Sequence, residues 1–407
     1  MSLKILTINN AYKGGGAEEI ARLLHNNLNK EKNISSIFAY GRKGKNKDKK
    51  SFNFSFKPEI IFHSLISRAF GLQGYGSYFS TKRLERYIKK NNFDLIHLHN
   101  LHGYYINLSF IKFLKKINIP VVWTFHDFWP ITGNCVYPFE CKRWQAGCGH
   151  CPKKNRLPKT WLDFSSYIWK KKKKLFQKNW QPTIVTPSKW LSKKVKKSFL
   201  KNKEIKVIPN GVNTDLFKPR NKKKIRQELG LPQDKNIILF LSADLENKRK
   251  GIKYILKTLP LIDSKDVLIL TVGKKLNLKN VSNKKNIIQL GYLLEREKIA
   301  KAYNGADLFA ITSLQDNLPN TVNESLASGT PIVGFKTGGI KEQVTKDCGI
   351  LVEKKDVKSL SREINNLLKD DLKRNNFSKN CRKRAIEKYL VKDFKNNYLS
   401  LYRKLIS

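Results

Sequence analysis

Two acids separated by seven residues, Asp316 and Glu324, stand in the string Ser313-Leu-Gln-Asp-Asn-Leu-Pro-Asn-Thr-Val-Asn-Glu-Ser325. Pro319 suits the first turn of a helix that would carry Glu324, so one carboxylate falls in a loop and the other on the helix after it. One acid can then meet the hydroxyls of a sugar and the other the two hydroxyls of a ribose, while bare N–H groups at the helix start face a diphosphate. Taken alone, the pair reads first as a cap and a solvated helix residue. His126 follows an apolar run and precedes Asp127, which puts an imidazole at a strand end, where ligands of parallel sheets bind. The loop Gly14-Gly-Gly16, with Gly15 and Gly16 leading into a helix, lets backbone N–H groups approach an anion, although three glycines also make a plain tight turn. Four cysteines crowd one loop as Cys135, Cys141, Cys148 and Cys151, ending in Cys-Gly-His-Cys-Pro. The terminal Cys-x2-Cys turn suits a structural zinc, and the alternative is four reduced thiols packing an aromatic-rich loop.

Short apolar runs separated by helical patterns are the elements that must hold these groups. Lys4–Ile8, Leu95–Leu98, Val121–Phe125 and Thr183–Thr186 read as buried parallel strands, with a helix from Ala17 to Asn29 after the first. The pattern restarts after Pro209-Asn-Gly-Val with Ile237–Leu241, Val267–Val272, Ile287–Leu290, Asp307–Ile311, Pro331–Gly334 and Ile350–Val352. At 407 residues, with 40% hydrophobic and 11% aromatic residues, the chain has material for two packed cores. The expectation is an α/β protein of two Rossmann-like domains facing across a cleft: residues 1–205 on the acceptor side, 206–390 on the donor side, and a C-terminal helix over 391–407 packing back on the first.

The ordered set of blocks resembles the family 4 retaining glycosyltransferases of GT-B fold. It comprises Gly14-Gly-Gly-Ala-Glu18, Thr124-Phe-His-Asp127, Thr186-Pro-Ser-Lys-Trp190, Val207-Ile-Pro-Asn-Gly-Val-Asn213, Lys250-Gly251, the acid pair and Gly338-Gly339. Asp316 stands where the family's first acid is usually Glu. The segment Thr132-Gly-Asn-Cys135 to Cys151-Pro152, with Asp316-Asn-Leu-Pro-Asn320, is most similar to the bacterial polysaccharide branch related to colanic acid transferases. The resemblance implies a hexosyltransferase in which His126 and Asp316 contact the donor sugar and Glu324 the nucleotide ribose. Arg249 and Lys250 would offset diphosphate charge, with Gly15, Gly16, Asn317, Leu318 and Asn320 lining the donor site. The family places its arginine a few residues earlier, where this chain reads Ser242-Ala-Asp-Leu245. A UDP- or GDP-sugar is the implied donor and a glycan or lipid-linked molecule the acceptor. No Asp-x-Asp motif stands where a catalytic metal would be expected, so none is expected in the chemistry.

Eighty-one Lys and Arg against 32 Asp and Glu leave a net charge of +49, which attracts any polyanion. A specific nucleic acid is not the expected partner, since no familiar module of that class appears; a basic nucleic-acid binder and a catalytically silent sugar-nucleotide binder are the rival readings. Without a signal peptide or apolar span, a cytoplasmic protein, peripheral on the inner membrane face, is the expectation. Trp161 to Trp180, drawn as one helix, sets Trp161, Phe164, Ile168, Leu175 and Phe176 on one side, a stripe interrupted by Lys172, against Lys170, Lys171, Lys173, Lys174 and Lys178 on the other, and reads either as a membrane-surface helix or as one packed on its own domain.

Overall fold

Short strands buried on both faces build each half of the chain. The computed structural model describes residues 3–42, 48–152, 154, 158–262, 266–279 and 284–407. They form two units, Met1–Ile208 with Phe394–Ser407, and Pro209–Asp393. In the first, β1 (Leu3–Asn9) leads to α1 (Gly16–Leu28), β2 (Ile34–Tyr40), β3 (Ser51–Asn53), α2 (Lys57–Phe70), α3 (Tyr78–Lys90), β4 (Leu95–Leu98), α4 (Ser109–Leu114), β5 (Val121–Thr124), α5 (Ser165–Gln177), β6 (Thr183–Thr186), α6 (Lys189–Val195) and β7 (Ile205–Val207). All strands pair in parallel, in the order β3-β2-β1-β4-β5-β6-β7. Ile5, Leu95, Val122 and Val185 enter one core and their neighbours Leu6, Ile96, Trp123 and Ile184 the other, which is why the strands are continuous apolar runs.

The second unit repeats the plan: α7 (Lys222–Glu228), β8 (Asn236–Asp244), α8 (Ile252–Leu256), β9 (Val267–Lys274), β10 (Ile287–Gln289), α9 (Arg296–Gly305), β11 (Leu308–Ile311), α10 (Asn320–Ala327), β12 (Ile332–Phe335), α11 (Ile340–Gln343), β13 (Gly349–Val352), α12 (Val357–Lys369) and α13 (Asp371–Lys388). Its parallel sheet runs β10-β9-β8-β11-β12-β13. Strand order reverses between β1 and β4 in one sheet and between β8 and β11 in the other, and at such points the loops diverge and leave a crevice. The last helix, α14 (Val391–Ile406), lays Phe394, Tyr398 and Tyr402 on the core that holds Ile5 and Val122. Among the described residues no helix is long and apolar enough to cross a membrane.

The segment drawn as one helix from Trp161 to Trp180 is corrected. Helix α5 spans only Ser165–Gln177 and buries Ile168, Phe176 and Lys172, while Trp161 and Phe164 precede it and stay exposed. Lys172 sits inside the packed face because its ammonium donates to the carbonyls of Trp129 (2.7 Å) and Thr132 (3.2 Å) and lies 3.4 Å from the Trp129 ring centre.

Candidate functional site

At the reversal point of the second sheet, the loops after β8 and β11 run side by side. Leu314 N–H donates to the Arg249 carbonyl (2.8 Å) and the Thr312 hydroxyl to the Gly251 carbonyl (2.8 Å). Gly251 has φ +77, and a Cβ there would lie 2.2 Å from the Thr312 carbonyl oxygen. This register carries Lys250 and Arg249 to Asp316: Lys250 Nζ is 2.6 Å and an Arg249 guanidinium nitrogen 2.9 Å from the same carboxylate oxygen. Burial alone would raise the Asp316 carboxyl, but the two cations outweigh it and hold the acid well below the ordinary carboxylate range. Lys250 is lowered by burial and by Arg249, against the pull of Asp316. Two cations facing one carboxylate leave a net positive charge, which can receive an anion. Gly338 closes the far side: at φ +54, its Cβ would stand 1.8 Å from the Asp316 carbonyl oxygen.

Glu324 lies on α10, buried, eight positions after Asp316. Its oxygens meet Arg296 on α9 at 2.7 Å and the Tyr303 hydroxyl at 3.2 Å. Neither partner was visible in the sequence, since both come from the preceding helix. Asn210, in the Pro-Asn-Gly turn, holds the loop before α10: its side chain donates to the Leu318 carbonyl and to Asn320 Oδ1, each at 3.1 Å, and its carbonyl accepts from Asn323 at 2.8 Å. Asn317 N–H turns back to Asp316 Oδ1 at 3.2 Å. In the first turn of α10 the Thr321 hydroxyl oxygen is buried without a hydrogen-bond partner, a further polar group beside an N-terminus that favours anions.

In the first unit, His126 follows β5 and meets His99 from the end of β4, with Nε2 and Nδ1 2.9 Å apart. His99 is fully enclosed and its Nε2 has no partner. A buried lone pair is less costly to leave unmatched than a buried N–H, which assigns the hydrogen of this bond to His99 Nδ1 and makes His126 Nε2 the acceptor. Neutral His126 then carries its own proton on Nδ1. Burial lowers His126 to about 4 and, with His126 nearby, His97 to about 3. His97 is in turn held by Tyr402 on α14 (2.7 Å) and by Thr124 (2.8 Å). Asp127 pairs with His102 at 2.8 Å. Gly15 and Gly16 open α1 at an exposed position; Gly15 has an ordinary φ of −85, and a Cβ there would come 3.0 Å from the Glu18 carboxylate.

Among the described residues no group of three or more His, Cys, Asp or Glu side chains is arranged to hold a metal ion. Cys135, Cys141, Cys148 and Cys151 form no disulfide. Burial pushes the Cys135 thiol up to about 12 and Cys148 to about 11, and Cys148 Sγ accepts from Gly133 N–H at 3.2 Å. Cys148 packs against the core that holds Trp144 and Trp169, which are joined by a 2.7 Å hydrogen bond. Cys148 thus takes part in aromatic packing, which favours the other reading of that sequence.

Two family descriptions meet this geometry end to end. Residues 14–216 match Glycosyltransferase Family 4 and residues 221–384 match Glycosyl transferases group 1. The chain belongs to the family 4 glycosyltransferases. Glycosyl transfer is therefore its reaction, and its two reversal points are those of the GT-B fold. Similar to this family 4 glycosyltransferase is WcaC of Escherichia coli (strain K12), named for glycosyl transfer in colanic acid biosynthesis, 25% identical over 88% of this chain and 89% of the relative. An Escherichia coli UDP-Gal:alpha-D-GlcNAc-diphosphoundecaprenol alpha-1,3-galactosyltransferase is 28% identical over 48% of this chain and 53% of its own. Among solved structures, HepE of Anabaena in complex with UDP and glucose aligns over 99% of this chain and all of its own, with TM-score 0.70 and 18% identity, a likeness of fold.

Proposed function

We propose that this glycosyltransferase moves a sugar from a nucleotide-sugar donor to a glycan or lipid-linked acceptor in surface polysaccharide assembly, with retention of anomeric configuration and without a catalytic metal. The observation that carries the reading is the Asp316–Lys250–Arg249 cluster at the β8/β11 reversal point. Its cations supply fixed positive charge where a departing diphosphate gains negative charge. As the diphosphate draws on Lys250 and Arg249, a lone pair of Asp316 turns to the donor sugar hydroxyls, and Glu324, steadied by Arg296 and Tyr303, takes the ribose. His126 presents Nδ1–H to the sugar. A diphosphate oxygen of the donor accepts the acceptor's proton as the glycosidic bond breaks, so attack comes from the face the leaving group vacates. Positioning and electrostatics then take the place of a covalent partner. Relatives named for colanic acid and diphosphoundecaprenol chemistry, and a neighbour that holds UDP and glucose, support the substrate classes. The proposed location is the cytoplasmic face of the membrane. Lys250→Ala in a binding assay with UDP and GDP tests the diphosphate site: unchanged affinity for both would move it elsewhere. Proton NMR of the initial product reads the anomeric outcome, and inverted product or a turnover abolished by EDTA and restored by Mg²⁺ would overturn the mechanism. Donor binding without transfer or hydrolysis would favour a silent binder instead.

A further inference from the structure

Helix α2 is built the wrong way round for a helix of a dissolved protein. Its buried residues are His63 and Ser67, with His63 held by the Gly74 N–H at 2.8 Å and Ser77 at 3.0 Å. Ile61, Phe62 and Leu65 instead point outward, each about 60% exposed. An amphipathic helix normally turns its apolar stripe to the core, so these three side chains contribute nothing to the fold that hosts them. The exposed surface continues beyond the helix. Trp161 and Leu162 donate backbone hydrogen bonds to the carbonyls of Arg68 and Ala69 at its C-terminal end, both 2.9 Å. Trp161 is 68% exposed, and the rings of Phe70 and Phe164 meet edge-on 5.7 Å apart. An apolar surface extending over two segments of one domain marks an interaction site.

Charge selects its partner. Lys57 and Arg68 are exposed on α2 itself, Arg83 lies over the Phe56 ring at 5.7 Å and Lys171 over Tyr167 at 5.3 Å. The nearby acids are engaged internally: Glu59 accepts from the N–H groups of Phe79 and Ser80, and Asp163 from those of Cys151 and Ser165. Exposed aliphatic and aromatic groups bordered by cations, with Trp161 among them, match the headgroup layer of an anionic bilayer, where apolar groups enter the acyl boundary and basic ones meet lipid charge.

We propose that the α2 face, with Trp161 and Leu162, docks the protein on an anionic lipid surface. It rests on the proposed function only in that a lipid-linked acceptor would be met there. Flotation of the full chain with vesicles of equal parts phosphatidylglycerol and phosphatidylcholine, against phosphatidylcholine alone, reads the docking. Binding is expected to be at least about tenfold stronger to the anionic vesicles and to weaken with salt. The triple change Ile61→Ser, Phe62→Ser, Leu65→Ser, all at exposed positions, should lower partition about tenfold or more while leaving the thermal shift given by UDP or GDP unchanged. That nucleotide readout separates failure of the docking face from failure of the donor site. Brominated phosphatidylglycerol should quench tryptophan emission in the wild type and much less in Trp161→Phe, since every other tryptophan is buried or half-buried. Equal binding to both vesicle types, wild-type partition of the triple variant, or a concentration-dependent dimer that the triple change abolishes without any vesicle binding would each overturn the proposal.

Discussion

Replacing Asp316 with Asn should unfold the second domain more readily and yet tighten its grip on a nucleoside diphosphate. The Asp316 carboxylate is the counter-charge of both Lys250 (2.6 Å) and Arg249 (2.9 Å), whose side chains are 20% and 17% exposed. Removing one partner of a fully buried ion pair costs about 3–5 kcal/mol; two cations that still reach water recover part of that, leaving about 2–3 kcal/mol. For a domain of this size each kcal/mol is about 2–4 °C in Tm, so Asp316→Asn should melt about 5–10 °C below wild type. The sign with pH is fixed by the depressed carboxyl: its stabilisation is present above the unfolded-state pKa near 4 and lost as pH falls through the lower folded value. The deficit should therefore be constant from pH 5 to 8. A diphosphate meets paired cations in the wild type and unneutralised ones in the variant, and a gain of about 1.4 kcal/mol would be tenfold in affinity. Differential scanning fluorimetry with and without UDP or GDP measures both effects, the ligand-induced shift being larger in the variant. A variant melting within about 1 °C of wild type, or showing no larger ligand shift, would refute the charge argument. Transfer should fall in either case, because the sugar contact is lost.

Gly338→Ala should cost about 3 kcal/mol, since its Cβ would stand 1.8 Å from the Asp316 carbonyl oxygen at φ +54; Gly15→Ala, at φ −85, should leave Tm within about 1 °C, and equal melting of the two variants would contradict the packing. Long-range ¹H–¹⁵N correlation spectra of histidine-labelled protein should show His126 as the Nδ1–H tautomer, lost or mixed in His99→Phe; a wild-type Nε2–H form would reverse the assignment. Stability should fall with acid below about pH 6.5, because burial holds His63 and His126 at about 4 and His97 at about 3, so the unfolded chain takes up protons that the folded one refuses. At pH 5.5 each such histidine costs about 1.4 kcal/mol, and denaturant midpoints unchanged between pH 7.5 and 5.5 would contradict that burial.

Strand runs such as Val121–Phe125 and Ile237–Leu241 were legible because parallel strands buried on both faces need uninterrupted apolar sequence. β2 was not marked: Ile34-Ser-Ser-Ile-Phe-Ala-Tyr40 breaks its apolar run with two serines. Asp316 and Glu324 could be singled out by spacing and Pro319, but their partners could not. Lys250 reaches Asp316 only because β8 and β11 are neighbours across a reversal of strand order, and Arg296 reaches Glu324 from a separate helix. The bond between His99 and His126 depends on β4 lying beside β5, which no spacing in the sequence shows. The span of α5 could not be read from its lysines, although Lys172 fell in the apolar stripe, where two carbonyls satisfy it. The inverted α2 escaped for the opposite reason: its apolar stripe has the ordinary helical period, and only its orientation is unusual.

Helix α14 makes the first domain discontinuous, assembled from both ends of the chain. During synthesis the ribosome releases Ile5, Leu95, Val122 and Val185 long before Phe394, Tyr398 and Tyr402, which cover the same core. The second domain has all but its last few residues once α13 has emerged, whereas the first must wait for α14 with one face of its sheet open, the condition in which nascent chains recruit chaperones or aggregate. A premature stop codon just before Phe394 would therefore damage the first domain. For the same reason a functional cassette exchange would have to move the interior segment, Pro209–Asp393, and leave both termini with their original partner.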